Sequence, residues 1–134
     1  MKQVWSTSWK SSKNPRKQRK YRYNAPMHIR DKFMSAELSK ELRKKYGRRS
    51  IQIKKGDKAK VTVGEYKGKE AVVARTSVKN TKVYLEGMDL TKVSGAKVGV
   101  SFDPSNLMIT ELNLKDKKRE QKLMTNKPKE EKKA

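Results

Sequence analysis

The chain has 134 residues, 33% of them hydrophobic, and a formal net charge of +22, with no cysteine and one histidine. Disulfides, thiolate zinc sites and cysteine nucleophiles are therefore excluded, and the chain is too polar for a core that spans its whole length. Residues 1–50 carry 16 Lys and Arg against 3 Asp and Glu, a net +13, whereas residues 51–114 carry +4 and residues 115–134 carry +5. This excess favours a polyanionic partner, above all a nucleic acid.

The sequence also argues against several classes of protein. It has no long apolar run and no strongly amphipathic basic helix, so we expect no membrane partner. Its first nine residues lack an apolar stretch of signal-peptide length, which favours the cytoplasm. No nucleophile–base pair, cluster of metal ligands or phosphate-binding loop is visible, so we expect neither an enzyme nor a metal or cofactor. Three acidic residues are interpreted as turn and surface residues: Asp57, Glu65 and Glu70.

Residues 1–24 are predicted to form a basic extended arm. Trp5 and Trp9 either contact the partner, which we favour, or form an apolar patch on the folded domain. Basic residues interleaved with aromatics follow, which suits irregular RNA because arginine binds phosphates bidentately and rings stack on unpaired bases. The alternative is a plain basic helix whose tyrosines pack on the body of the protein. The candidate RNA-binding residues here are Arg16, Lys17, Arg19, Lys20, Tyr21, Arg22, Tyr23 and Asn24.

Residues 25–50 are predicted to form two short helices that pack beside the domain. Pro26 suits the first position of a helix with Ile29 and Phe33 on one face. Ser39 is the predicted N-cap of a second helix over residues 40–46, which Gly47 terminates. The apolar side chains that recur every four residues and define the buried side of this second helix are Leu38, Leu42 and Tyr46. The candidate RNA-binding residues of this region are His28, Arg30, Arg43, Lys44, Lys45, Arg48 and Arg49.

Residues 51–114 are predicted to form a small β-barrel of about five to six strands. Apolar and polar residues alternate over residues 58–63, as in a half-buried strand. Gly64 and Gly68 then bracket a tight turn that presents Tyr66 and two lysines to solvent. The predicted barrel core is Val61, Val63, Val73, Val83, Leu85, Val98, Val100 and Ile109. The candidate RNA-binding residues of the barrel are Lys67, Gly68, Lys69, Lys97 and Ser105.

Residues 115–134 are predicted to form a basic tail. A helix from Asp116 to about Met124 is expected, with Leu123 and Met124 as its only apolar contacts. From Asn126 onward the tail has no means of burying surface, so it should be disordered unless bound. The charge of this tail fits a solvated surface as well as it fits a polyanion-binding one.

Several motifs carry a resemblance to known proteins. Residues 56–73 resemble a KOW element, found in small SH3-like barrels that bind RNA, although Ala71 stands where the usual pattern has glycine. The flanks are similar to the archaeal and eukaryotic branch of the universal large-subunit ribosomal protein twenty-four family, over about residues 13–120. The short tail is more like the archaeal members. The flanking motifs are Asn24-Ala25-Pro26-x-His28-Ile29-Arg30, Met34-Ser35-Ala36-x-Leu38-Ser39-Lys40-Glu41-Leu42 and Pro104-Ser105-Asn106-x-Met108-Ile109-Thr110.

The resemblance implies a mainly β protein: an SH3-like KOW barrel with a basic helical or extended N-terminal extension and a basic C-terminal tail. It also implies a structural constituent of the large ribosomal subunit that binds domain I of large-subunit rRNA near the tunnel exit and assists early assembly. The implied partners are this rRNA and neighbouring ribosomal proteins, among them universal protein twenty-nine, with no homo-oligomer. The alternative is a KOW-type transcription or chromatin protein, but the chain lacks the separate α/β domain of those elongation factors.

Overall fold

The computed structural model describes residues 5–6 and 11–125, so the predictions for Trp9 and for residues 126–134 lie outside the described residues. Among the described residues, no helix combines the length and apolar character that a membrane span requires. In chain order the helices are α1 (Pro15–Asn24), α2 (Met27–Phe33), α3 (Lys40–Tyr46) and α4 (Lys117–Met124). The strands are β1 (Ser35–Leu38), β2 (Ser50–Gln52), β3 (Lys58–Val61), β4 (Glu70–Ser77), β5 (Lys82–Thr91), β6 (Lys97–Phe102) and β7 (Leu107–Glu111).

The described strands form one sheet in the order β2-β1-β7-β3-β4-β5-β6. Neighbouring strands are antiparallel, except that β1 runs parallel to β7, with Leu38 opposite Ile109. Because β2 and β6 lie at the two ends of this order, the sheet is not closed. The predicted mainly β class is confirmed. Residues 51–114 contain β3 to β7 and most of β2, which agrees with the predicted five to six strands, whereas β1 is a further strand within residues 25–50. The additional strand β1 has only four residues, too few for alternation to be distinguished from a connection between helices.

The helices follow local signals at their ends. Ser39 caps α3 by accepting a hydrogen bond from the backbone N–H of Leu42 at 3.4 Å, and Gly47 ends the helix with a left-handed backbone (φ +63°), as predicted. Residues 15–24 differ from the prediction of an extended arm, because they form the helix α1. The Asn14 side chain caps α1 by accepting from the backbone N–H of Arg16 at 3.0 Å. Proline at the first helical position completes this start signal.

The core consists mainly of side chains from the strands, joined by Tyr46 of α3 and Leu123 of α4. Five of the eight predicted core residues are buried, namely Val61, Val73, Val83, Leu85 and Ile109. The prediction is wrong for Val63 and Val98, which are 60% and 42% exposed, and Val100 is only half-buried at the edge of the core. Val63 lies beyond the end of β3, and Val98 lies in the exposed outer part of the β5–β6 hairpin. The alternation of apolar and polar residues in the sequence therefore extends past the part of each strand that packs on the core. The buried apolar residues outside the prediction include Met34, Ala36, Ile51, Ile53, Met88, Phe102 and Leu107.

A buried ion pair joins the sheet to α4. Asp57, predicted as a turn and surface residue, is instead fully buried, and Arg119 is 5% exposed. The two terminal guanidinium nitrogens of Arg119 donate to the two carboxylate oxygens of Asp57, each at 2.6 Å. The same carboxylate accepts from the backbone N–H groups of Lys54 at 2.9 Å and Asn113 at 2.8 Å. The pair therefore connects the segment before β3, the segment after β7 and the C-terminal helix.

The guanidinium of Arg119 also donates to backbone carbonyl oxygens, at 2.9 Å to Asn113 and at 3.0 Å to Gln52. It therefore secures α4 together with Leu123, which is buried as predicted, whereas Met124 is 42% exposed and does not hold the helix. Gly56, next to the pair, has φ +91°, and this backbone geometry favours glycine at the position.

We predict that Arg119→Met lowers the free energy of unfolding by about 3–5 kcal/mol, because it leaves the buried Asp57 carboxylate without its charge partner. Urea unfolding followed by circular dichroism measures this loss. The matched control is Asp103→Asn, which breaks the exposed 2.7 Å ion pair with Lys82 and should cost about 1 kcal/mol or less. Equal losses for the two variants would contradict the structural role of the buried pair.

Candidate nucleic-acid interface

A basic cleft of about 590 Å³ lies between the N-terminal helices and the turn that joins β4 to β5. Its position follows from α1 and α2, which meet at a short connection around the buried Ala25. Thr81 ends the β4–β5 turn with φ +54°, and its backbone N–H donates to Val78 at 3.3 Å. We call this cleft the α1 cleft. The residues that line it are Pro15, Gln18, Arg19, Arg22, Tyr23, Arg30, Lys79, Asn80, Thr81, Lys82 and Asp103.

Arg30 fixes the geometry of the α1 cleft. Its guanidinium donates to the backbone oxygen of Lys79 at 3.0 Å and to the backbone oxygen of Tyr23. The same group lies 5.9 Å from the centre of the Tyr23 ring, within cation–π range. Arg30 therefore joins α2, the end of α1 and the β4–β5 turn. Arg30, which was predicted to bind RNA, therefore has a positioning role inside the protein.

The α1 cleft is strongly electropositive. Five lining side chains are cationic, and the only carboxylate among them, Asp103, is engaged with Lys82 at 2.7 Å. Arg22 extends over the ring of Phe33 at 5.6 Å, which holds its planar side chain against α2. Arginines held by rings and backbone oxygens lose less conformational entropy when they bind a phosphate, so the cleft suits a chain of phosphates. The predicted cations of α1 are exposed, namely Arg16, Lys17, Arg19, Lys20 and Arg22.

The aromatic residues of the predicted arm have different surroundings. Tyr21 is half-buried between Trp5, at 4.9 Å between ring centres, and Phe33, at 6.4 Å. The indole N–H of Trp5 donates to the backbone oxygen of Tyr21 at 3.0 Å, so the half-buried Trp5 packs on its own chain, and its contact with a partner stays a prediction. Tyr23, by contrast, is 77% exposed. Of the two tyrosines, Tyr23 presents the ring face that a base could stack on, and Asn24 beside it is half-buried.

The turn between β3 and β4 carries a second group of predicted contacts. Gly64 and Gly68 have φ of +96° and +87°, as a tight reversal requires. Lys67 and Lys69 are exposed, but Tyr66, predicted to face solvent, is half-buried. Its ring centre lies 5.7 Å from that of Phe102, with the two rings nearly perpendicular. The sequence could not show this, because Phe102 lies in β6. The ammonium of Lys69 lies 4.9 Å over the Tyr66 ring, so the packed ring supports the cation.

The remaining predicted residues are distributed over other elements. Arg43 donates to the backbone oxygen of Leu38 and to the carboxylate of Glu37, both at 2.8 Å, so its charge is compensated and it connects α3 to β1. Arg48 is half-buried. The exposed members of the set are His28, Lys44, Lys45, Arg49, Lys97 and Ser105. These residues stay predictions as RNA contacts, and the α1 cleft includes none of them.

The sequence reasoning missed Lys79 and Lys82, which the β4–β5 turn places opposite α1. Two lysines flanking a turn between strands are a weak signal by themselves, because lysine is common in exposed turns. Only the packing of α1 and α2 against this turn places them beside Arg19 and Arg22. In the part of the chain that the structure describes, no group of three or more His, Asp or Glu side chains could hold a metal ion.

The comparisons with known proteins agree on one family. A family model described as the eukaryotic ribosomal proteins L26 and their archaeal L24 counterparts matches residues 12–126. The chain is 50% identical over 112 residues to the large ribosomal subunit protein uL24 of Methanospirillum hungatei, covering 84% of this chain and 93% of that protein. It is 52% identical over 106 residues to uL24 of Methanocorpusculum labreanum, covering 79% and 88%. The corresponding protein of Methanosarcina barkeri is 51% identical over 108 residues, covering 81% and 93%.

Arg30→Met should loosen the α1 cleft, because it removes the donor to the backbone oxygens of Tyr23 and Lys79. We predict that the α1 amides exchange with solvent roughly tenfold faster, equivalent to about 1.4 kcal/mol of local stability. Native-state hydrogen exchange measured by NMR tests this, with His28→Ala, an exposed position on the same helix, as the control. Unchanged α1 protection in Arg30→Met would show that α1 is held by other contacts.

Proposed function

The chain belongs to the family of eukaryotic L26 and archaeal L24 ribosomal proteins, and from this membership we propose that it binds large-subunit rRNA through the α1 cleft and the exposed cations of α1. Membership confirms the family predicted from the motifs. The protein is a cytoplasmic component of the large ribosomal subunit and not an enzyme. Neighbouring ribosomal proteins are its further partners.

The α1 cleft is the observation that supports rRNA as the ligand. Five cationic side chains converge there beside an exposed tyrosine ring, and its one carboxylate is paired. A uniform duplex requires only phosphate contacts, whereas irregular RNA also offers unpaired bases to a ring such as that of Tyr23. We expect Arg19 and Arg22 to contact phosphates and Tyr23 to stack on an unpaired base.

The mechanism we propose combines neutralisation of the RNA phosphate charge with a fit between the shapes of the protein and the RNA. The cations of α1 supply counter-charge, so that RNA helices can approach one another. Because each phosphate contact displaces condensed counterions, about ten contacts give a slope of log affinity against log salt of roughly −7 to −9. Lys67, Gly68 and Lys69 at the β3–β4 turn are proposed to fix the position of the sheet on the RNA. Residues 1–50 are proposed to provide most of the affinity.

Several finer points belong to the same proposal. We propose that the strands of residues 51–114 act as an SH3-like KOW barrel, flanked by a basic N-terminal extension and a basic tail. The binding site on the RNA is proposed to be domain I of large-subunit rRNA near the tunnel exit, with a role in early assembly. Universal protein twenty-nine is the neighbour proposed to touch it. Membership of a ribosomal family argues against the alternative of a transcription or chromatin protein.

Replacing Arg16, Lys17, Arg19 and Lys20 together by alanine should impair incorporation into the large subunit, because it removes four exposed cations from α1. The melting temperature should stay within about 2 °C, since none of the four side chains is buried. Co-sedimentation of a tagged variant with large subunits through a high-salt wash measures incorporation.

The control for this test removes the same charge elsewhere, from the exposed residues Lys40, Lys55, Lys92 and Lys115. This control should incorporate nearly as well as the unchanged protein. Normal incorporation of the α1 variant would contradict the proposal that α1 binds rRNA. Equal impairment of both variants would show that only net charge matters.

A further inference from the structure

A second basic groove, of about 390 Å³, lies between the edge strand β2 and α4. We call it the β2–α4 groove. It shares no lining residue with the α1 cleft. Of its cationic residues only Arg48 was predicted from the sequence to bind RNA. The six cationic side chains that line it are Lys32, Arg48, Lys54, Lys118, Arg119 and Lys122.

Positive charge in this groove exceeds the negative charge available to balance it. Asp116 is the only carboxylate in the lining, and it is engaged with Lys54 at 3.0 Å. The pKa of Asp116 is lowered, first by the hydrogen bond from the Lys54 side chain and then by the one from the backbone N–H of Lys118. Arg119 is balanced by Asp57 beneath it. Lys32, Lys118 and Lys122 add further positive charge to this concave surface, and a bound anion would reduce the repulsion between them.

The groove is formed before any ligand binds. The bidentate contact with Asp57 and the 3.0 Å hydrogen bond to the Gln52 backbone oxygen fix Arg119, and with it the position of α4 along β2. Lys118 and Lys122 are four residues apart on α4 and so lie on one face. A binding surface that is already ordered loses less entropy on association than a disordered tail does.

A phosphate backbone fits this groove better than an acidic peptide. A peptide that extends the sheet would need the backbone groups of the edge strand β2. The backbone oxygen of Gln52 in that strand already accepts from Arg119, so part of the edge is occupied by α4. Lysine ammonium groups that project from a helix reach phosphates without using backbone groups of the sheet.

We propose that the β2–α4 groove is a second binding site for phosphate groups of structured RNA, with Lys118 and Lys122 as its principal contacts. This inference rests on the proposed function, because it extends the rRNA contact from α1 to the C-terminal helix. The protein then holds RNA phosphates at two separate places. The Asp57–Arg119 pair secures the second of them.

The decisive experiment compares two double variants of the full chain. Lys118→Gln with Lys122→Gln removes two charges from the groove, whereas Lys115→Gln with Lys117→Gln removes two charges from the same segment outside the lining. Binding to a fragment of large-subunit rRNA is measured over a series of salt concentrations. The groove variant should reduce the slope of log affinity against log salt by about 1.4–1.8, which is two lost phosphate contacts. The control should change the slope by less than half of that. Equal changes in the two variants, or none in the groove variant, would overturn the proposal.

Two further measurements distinguish failure of the second site from failure of the proposed function. The alanine variant of Arg16, Lys17, Arg19 and Lys20 is measured on the same RNA. If it binds as tightly as the unchanged protein, the proposed function fails, whereas a loss there without a loss in the groove variant refutes the second site alone. NMR titrations with the rRNA fragment and with poly-glutamate follow the amides of residues 50–54 and 117–124. If poly-glutamate shifts these amides more than the rRNA fragment does at equal charge, an acidic protein is the partner and the proposal is wrong.

Discussion

The buried pair of Asp57 and Arg119 is the interaction on which the rest of the structure depends. A carboxylate taken fully out of water is tolerated only when its charge is matched and its oxygens accept hydrogen bonds. Here two guanidinium nitrogens and two backbone N–H groups supply those bonds, at 2.6–2.9 Å. The donors come from the segments after β2 and after β7 and from α4. The pair therefore ties the segments beside β2, β3 and β7 to α4, a helix that has little apolar surface of its own.

The protein separates the residues that maintain its fold from those that carry its exposed charge. Arg43 and Arg119 are arginines whose charges are balanced by carboxylates of the same chain, and both connect a helix to the sheet. Arg30 has a similar role through backbone oxygens. The exposed cations of α1 and α4 project from helices positioned by these arginines. Fixed arginines thus position the exposed cations that are proposed to meet RNA phosphates.

Strand order explains why the two basic surfaces are distinct. The α1 cleft borders the turn between β4 and β5, whereas the second groove borders the edge strand β2. Strands β1, β7 and β3 separate these positions in the sheet. A single sheet of modest charge can therefore carry two electropositive surfaces. Membership of a ribosomal protein family is consistent with such a design, because the sheet supplies rigidity while helices and turns supply the contacts.

The sequence by itself determined the features that depend on neighbours along the chain. These features follow from residues close together in the sequence: the caps of α3, the tight turn at Gly64 and Gly68, the mainly β class and the family motifs. The uneven charge follows from composition alone. The tertiary structure alone decided which charges are buried. Asp57 and Arg119 are 62 residues apart, and no periodicity relates them. Tyr21 and Tyr23 have similar basic neighbours in the sequence. Packing against Trp5 and Phe33 makes Tyr21 half-buried, whereas Tyr23 is exposed. Burial depends on what the folded chain places opposite each side chain, and local spacing does not contain that information.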